Sequence, residues 1–344
     1  MARTVTSGRT AAEVLAWSRD LTGPPMRAAV DTLPPSMRRI AGYHFGWLDE
    51  HGRPASGGAG KAVRPALVLL AAEAAGGSAE DAVPAAVAVE LVHNFSLLHD
   101  DVMDGDATRR HRPTAWSVFG VSGAILAGDA LLTLAFDVLA TASSLRTPEA
   151  ARVLSAAVLD LVEGQSADTS FETREEVTLP EVVAMAEGKT GALLATSCAL
   201  GGLAGGAGVE RVECLRAFGA RLGLAFQVVD DLLGIWGDPA VTGKPVHSDL
   251  RNRKKSLPVV AALTSGTPAG DELAAFYRRE QTPSPGELAH AAGLVEAAGG
   301  RAWAQAYADE LLGEALAHLT AATPAPRPAA ELHALAHLLT HRDH

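Results

Sequence analysis

Cysteine is nearly absent from this chain of 344 residues; Cys198 and Cys214 are the only two. A disulfide framework and a cysteine zinc site are therefore excluded, and a reducing, cytoplasmic setting is the expectation. Aromatic residues make up 5%, and runs of β-branched residues are few, so helix is favoured over sheet. Positive charge is also short. The 29 lysines and arginines face 40 acidic residues, a net charge of −11, which argues against nucleic acid as a partner because a phosphate backbone needs a basic face. Lysine is scarcer still: only Lys61, Lys189, Lys244, Lys254 and Lys255 occur. Where arginine serves for most cations, the remaining lysines mark places that call for a compact ammonium. The opening MARTVTSGRTAAEVLAW has no continuous apolar core, so no secretory signal is expected. The longest uncharged stretch, 190–209, ends in GGLAGGAG. It reads as a buried helix and a turn, and no transmembrane segment is expected.

What is present is helical periodicity from end to end, broken at HGRPASGGAG (51–60), GGLAGGAG (201–208) and GDPAVTGKP (237–245). Thr178 with Glu181, and Ser284 with Glu287, have the spacing of capping boxes. The pattern predicts about a dozen helices in one all-α domain over 1–344. It has an N-terminal helical portion (1–55), a motif-bearing core (56–265) and C-terminal helices (266–344).

Two acidic motifs stand out against apolar helices. In LLHDDVMDGDATRRHRPTAW (97–116), Asp100 and Asp104 share a face one turn apart, with Asp101 beside them. In FQVVDDLLGIWGD (226–238), Gln227, Asp231, Gly234 and Asp238 follow helical spacing and Asp230 adjoins them. A solvated helix end would explain either motif alone, since like charges there cost only ~0.2–0.5 kcal/mol per pair. In a cleft, carboxylates ~5 Å apart at an effective dielectric of ~20 repel by ~3 kcal/mol and need cations. Carboxylates without histidine or cysteine at zinc spacing suit Mg²⁺, which shares its shell with water and phosphate oxygens. All five lysines lie in Gly-, Pro- or Ser-flanked motifs. Acidic clusters together with such cations suit a ligand set with two diphosphates.

These motifs resemble the trans-polyprenyl diphosphate synthase family. The resemblance runs from about residue 55 to 260: GKAVRP, DDVMD with the following arginine pair, Gly164-Gln165 with Asp168, GKTG, FQVVDD and the GK…DL…KK loop. It implies an all-α bundle of the isoprenoid synthase type, most like that of a bacterial geranylgeranyl diphosphate synthase. It also implies condensation of isopentenyl diphosphate with an allylic diphosphate, with three Mg²⁺ ions per active site. Asp100, Asp101, Asp104, Asp230 and Asp231 become the metal ligands. Arg109, Lys189 and Lys244 contact the allylic diphosphate, with Thr190, Gln227 and Lys254 also substrate-binding, and Lys61, Arg64, His93 and Arg110 hold isopentenyl diphosphate. Asp100, Asp101, Asp104, Lys189 and Asp230 are the catalytic set.

Phe95 and Ser96, five and four residues before Asp100, are the chain-length positions; a bulky residue followed by a small one resembles members that stop near C20, with C15 or C10 as the alternatives. The resemblance also implies a homodimer and leaves sequestration in a protein shell open. The chain departs from the pattern at Gly234, where a third aspartate is common, and at His111, where glycine is usual. Two other readings use the same residues: a non-catalytic partner subunit of a synthase, and a class I terpene cyclase. The cyclase has no use for Lys61, Arg64 and Arg110 as a second diphosphate site.

Overall fold

A computed structural model describes residues 8–55, 57, 60–143, 148–239, 245–279 and 281–341. Among them the chain forms sixteen α-helices, one π-helical turn and a two-stranded ribbon of two residues per strand. The fold is all-α. The surplus over a dozen comes from helices of four to seven residues, Ala115–Phe119, Ser248–Arg251 and Leu257–Leu263. These are too short for a window of two or three turns to register. The ribbon, Thr108–Arg109 paired with Arg112–Pro113, is likewise too short to alternate.

Helix starts follow the capping signals. Glu181 accepts the Thr178 N–H at 2.8 Å, and Glu287 that of Ser284 at 2.9 Å. The same reciprocal arrangement at Thr10 and Glu13 opens the first helix, Ala11–Asp31.

The residues group into two compact units. The first comprises 1–158, 193–219 and 318–335. Its centre is Val63–Ala75, which buries Leu67, Leu69 and Leu70 completely, packed against Ala79–Met103. Fully burying each such leucine contributes about 1.5–3 kcal/mol. Ala79–Met103 packs in turn on Val121–Thr141. Both of these helices are long and apolar enough to cross a membrane by length and composition, with 61% and 39% of their most apolar windows buried inside the protein. Ala79–Met103 meets neighbours on several sides, as a central helix of an all-α unit does, whereas Val121–Thr141 leaves apolar side chains such as Leu126 exposed.

The second unit comprises 159–192, 220–317 and 336–344. Here Leu224, Val228 and Leu232 recur at helical spacing and pack with Val182, Met185 and Leu257. That packing fixes the rotation of the helix carrying the second acidic motif.

Candidate active site

In the first unit, Ala79–Met103 delivers its chemistry in its last four turns. Asp104 is the C-cap, and its N–H donates to the Asp100 carbonyl at 2.8 Å. Asp101 is only 1% exposed and accepts from Arg109 Nε at 2.7 Å through Oδ1, while its Oδ2 is buried with no hydrogen-bond partner. Burial pushes this carboxyl up to about 6 against the pull of Arg109. A half-engaged buried carboxylate of this kind fits a hard cation.

Arg110 and His111 form the turn of the ribbon with φ of 51° and 61°. Two consecutive positive φ angles are the tight hairpin conformation that glycine adopts most cheaply, which explains the usual glycine at the position of His111. The turn sets Arg110 against the 60–64 segment, where a Cβ on Gly60 would meet Arg110 Nη2 at 3.0 Å. Lys61 is exposed and Arg64 half-buried. Burial lowers the pKa values of Arg64 and Arg110, and Glu90 opposes it for both. Burial raises the Glu90 carboxyl, and Arg64, Asn94 and Arg110 pull it back. Asn94 Nδ2 donates to the Glu90 carbonyl at 2.8 Å, and His44 Nε2 lies 3.1 Å from Asn94 Oδ1. His93 is held neutral by burial and by Arg64, Arg110 and Arg109. Beside these groups lies a small pocket lined by His44, Asp101, Arg109, Arg110 and Arg112. Arg112 turns away to the carbonyls of Tyr43 and Leu48. One turn earlier, Phe95 is 7% exposed and meets His99 edge-on at 4.7 Å, and Ser96 Oγ donates to the His93 carbonyl at 2.8 Å.

In the second unit, Lys189 and Thr190 sit on a π-helical turn, Glu187–Gly191, a distortion frequent at functional sites. Gly164 allows the backbone of Lys189 to approach; a Cβ there would collide with Lys189 N. Lys189 Nζ pairs with Asp168 at 2.6 Å. Thr190 Oγ1 donates to Gln227 Oε1 at 2.6 Å, and Gln227 Nε2 donates to Asp231 Oδ1 at 2.8 Å. Asp231 Oδ2 accepts the Leu257 N–H at 2.9 Å. Both Asp231 oxygens are thus engaged within the protein, whereas Asp230 is exposed. Burial pushes the Asp231 carboxyl up to about 6 against Lys254. For Lys254, burial works to lower the pKa but is outweighed by Asp231, Asp249, Asp168 and Asp230, and the net shift is upward. Lys255 Nζ donates to the Phe171 carbonyl at 2.5 Å. Lys244 lies outside the described residues.

Of the expected residues, Asp101, Arg109, Arg110, Arg64 and His93 come together in the first unit, and Lys189, Thr190, Gln227, Asp231 and Lys254 in the second. Sequence reasoning missed the supporting carboxylates. Glu90 was visible as the lone acid three residues before His93 in an apolar run. Asp168 was visible as part of the Gly164 motif, although nothing pointed to Lys189 as its partner. Among the described residues no three acidic, histidine or cysteine side chains converge on a metal position by themselves.

Carboxylates gathered with partly buried arginines in an all-α chain are the groundwork of an enzyme that handles anionic substrates. The family model for polyprenyl synthetase matches residues 46–295, and the chain belongs to that family. It is 53% identical over 298 residues to the (2E,6E)-farnesyl diphosphate synthase of Mycobacterium tuberculosis, covering 86% of this chain and 83% of that one. It is 50% identical over 289 residues to the geranylgeranyl diphosphate synthase of the same organism, covering 84% and 83%. The crystal structure of a polyprenyl synthetase from Streptomyces coelicolor A3(2) matches with a TM-score of 0.91 at 48% identity, covering 95% of this chain and 98% of that one. The enzyme is a trans-prenyltransferase.

Proposed function

We propose that the enzyme condenses isopentenyl diphosphate with allylic diphosphates and releases chiefly the C20 product, geranylgeranyl diphosphate. The observation that carries the two-diphosphate reading is the first-unit pocket, where Arg109 and Arg110 line one cavity with the buried, half-engaged Asp101. Asp100, Asp101 and Asp104 in the first unit, and Asp230 in the second, are the carboxylates each motif would offer to Mg²⁺, whose chemistry is to neutralise the departing diphosphate. Asp231, with both oxygens engaged, would orient the second motif. Arg109 of the first unit and Lys189 of the second would contact the allylic diphosphate. Lys61, Arg64, Arg110 and neutral His93 hold isopentenyl diphosphate, and Glu90 keeps the two arginines in place.

The allylic C1–O bond breaks with its electron pair leaving on diphosphate. The isopentenyl double bond then forms the new bond to C1, and loss of a proton restores an alkene. Cations held in place beforehand stabilise the leaving group at no reorganisation cost. The enzyme acts in the cytoplasm as a homodimer in this reading, and a protein shell is a further setting for it.

The C20 assignment rests on Phe95 and Ser96, and the C15 alternative on the identity to a farnesyl diphosphate synthase. Labelled isopentenyl diphosphate supplied with C5, C10 and C15 starters should elongate to C20 with Mg²⁺ and not at all with EDTA. A product ending at C15 would discard the Phe95 argument. No elongation in folded protein would favour the partner-subunit reading. Phe95→Ala should lengthen the main product by at least one C5 unit, measured by chromatography of the dephosphorylated alcohols. Unchanged length would remove Phe95 from the cavity floor.

A further inference from the structure

Phe95 and His99 stand four residues apart on Ala79–Met103 and share one face of that helix. A long side chain on a helix leans back over the preceding turn, which lays the His99 ring on Phe95. The rings meet edge-on, with centroids 4.7 Å apart and planes at 66°. The same imidazole is fixed to Val121–Thr141, where His99 Nε2 lies 3.0 Å from the Ile125 carbonyl. A carbonyl only accepts, so Nε2 carries the proton and donates it. Asp129 Oδ1, 3.6 Å from the same nitrogen, is too distant to be its partner. The fit depends on Gly128. It is buried, and a Cβ there would collide with His99 Nε2 and Cδ2. Glycine inside a helix is less stable than alanine; here the room it leaves is filled by the imidazole.

We propose that His99, seated against Gly128, positions Phe95 and thereby sets product length, which makes His99 and Gly128 specificity-determining residues of the prenyl transfer. This rests on the reading of Phe95 as the chain-length position. A bulky side chain limits a growing chain only if it cannot tilt away, and close packing is what denies it that freedom. His99 can brace Phe95 because it is itself held at two points, the Ile125 carbonyl and the surface of Gly128. Ser96 adds no bulk, and its hydroxyl is committed to the His93 carbonyl. The two positions therefore have opposite effects. His99→Ala removes the brace and opens space into which Phe95 relaxes, so the main product should become longer by one C5 unit. Gly128→Ala forces the ring off its seat with Phe95 as the neighbour that gives way, so the main product should become shorter by one C5 unit.

The test supplies wild type, Phe95→Ala, His99→Ala, Gly128→Ala and the Gly128→Ala/His99→Ala double variant with labelled isopentenyl diphosphate, a C5 starter and Mg²⁺. Product length at matched conversion is read beside the Tm of each protein, and a residue kept only for stability would move the Tm and not the length. Without a ring to displace, the double variant should lose the shortening and match His99→Ala. If Phe95→Ala lengthens the product while His99→Ala and Gly128→Ala leave it at the wild-type length, the proposal is overturned and the reading of Phe95 stands. A double variant that still makes the shorter product would show Gly128 acting without His99, which also overturns it. An unchanged product from Phe95→Ala removes the chain-length reading and this proposal with it. Gly128→Ala leaves the sequence of Ala79–Met103 intact and decides the matter if His99→Ala does not fold: the shorter product supports the proposal, and an unchanged one ends it.

Discussion

Asp101→Asn should lower kcat by about 10³ without lowering the Tm of the metal-free protein. The side chain is 1% exposed, accepts from Arg109 through one oxygen, and buries the other with no partner. Burial disfavours its charge, which is why the carboxyl is pushed up to about 6. A residue kept for stability would not be left in that state. Asparagine preserves the shape and an acceptor for Arg109 but removes the negative charge. Losing one preorganised electrostatic group in a desolvated site typically costs 10²–10³ in rate; here the lost charge also leaves Arg109 unbalanced, hence the upper end. Steady-state kinetics beside a melting curve checks the claim. A Tm lowered in parallel with kcat would make Asp101 a structural residue.

Glu331→Ala should destabilise the protein by about 3 kcal/mol, the lower end for removing one partner of a buried ion pair, with little change in KM. The Glu331 carboxylate is fully buried, and it accepts from Arg9 N at 2.9 Å, Arg9 Nε at 3.0 Å and Arg9 Nη2 at 2.6 Å. Glu73 shares the arginines, at 2.9 Å from Arg9 and 2.6 Å from Arg327, and Arg9 lies over the Trp17 ring at 3.6 Å. Glu73 remains after the substitution and Arg9 is partly exposed, which is why the full penalty is not expected.

The sign of the pH dependence follows from the same contacts. Burial works to raise the Glu331 carboxyl, but the Arg9 hydrogen bonds and the charges of Arg9 and Arg327 outweigh it and hold it below the ordinary range. A depressed folded value stabilises the native state above the unfolded carboxyl value of about 4.3, and that contribution is lost as the pH falls through the folded value. Wild type and Glu331→Gln should therefore differ in Tm at pH 7 and converge below about pH 4. A constant difference across that range would assign the effect to packing.

Much of this could be read along the chain, and the limits have physical causes. The helical setting of the 97–116 motif was legible because its apolar body and its acidic end are both local. The Thr178 and Ser284 boxes were legible for the same reason. The pairing of Arg9 with Glu331, 322 residues away, was not, because no periodicity joins the first turn of the chain to its last helix. Nor was the engagement of Asp231: its partner, the Leu257 N–H, becomes available only when a short helix starts beside it.

By itself the sequence determined that this protein is helical and carries acidic and basic motifs in the order of a trans-prenyltransferase. Helical spacing and residue chemistry are properties of neighbours along one chain. Tertiary structure alone decided which carboxylate oxygens are engaged, which cations they face, and that the room beside Gly234 is taken by Asp249. A hydrogen bond or a steric collision depends on ångström distances between segments far apart in the chain, and those distances exist only once the helices have packed.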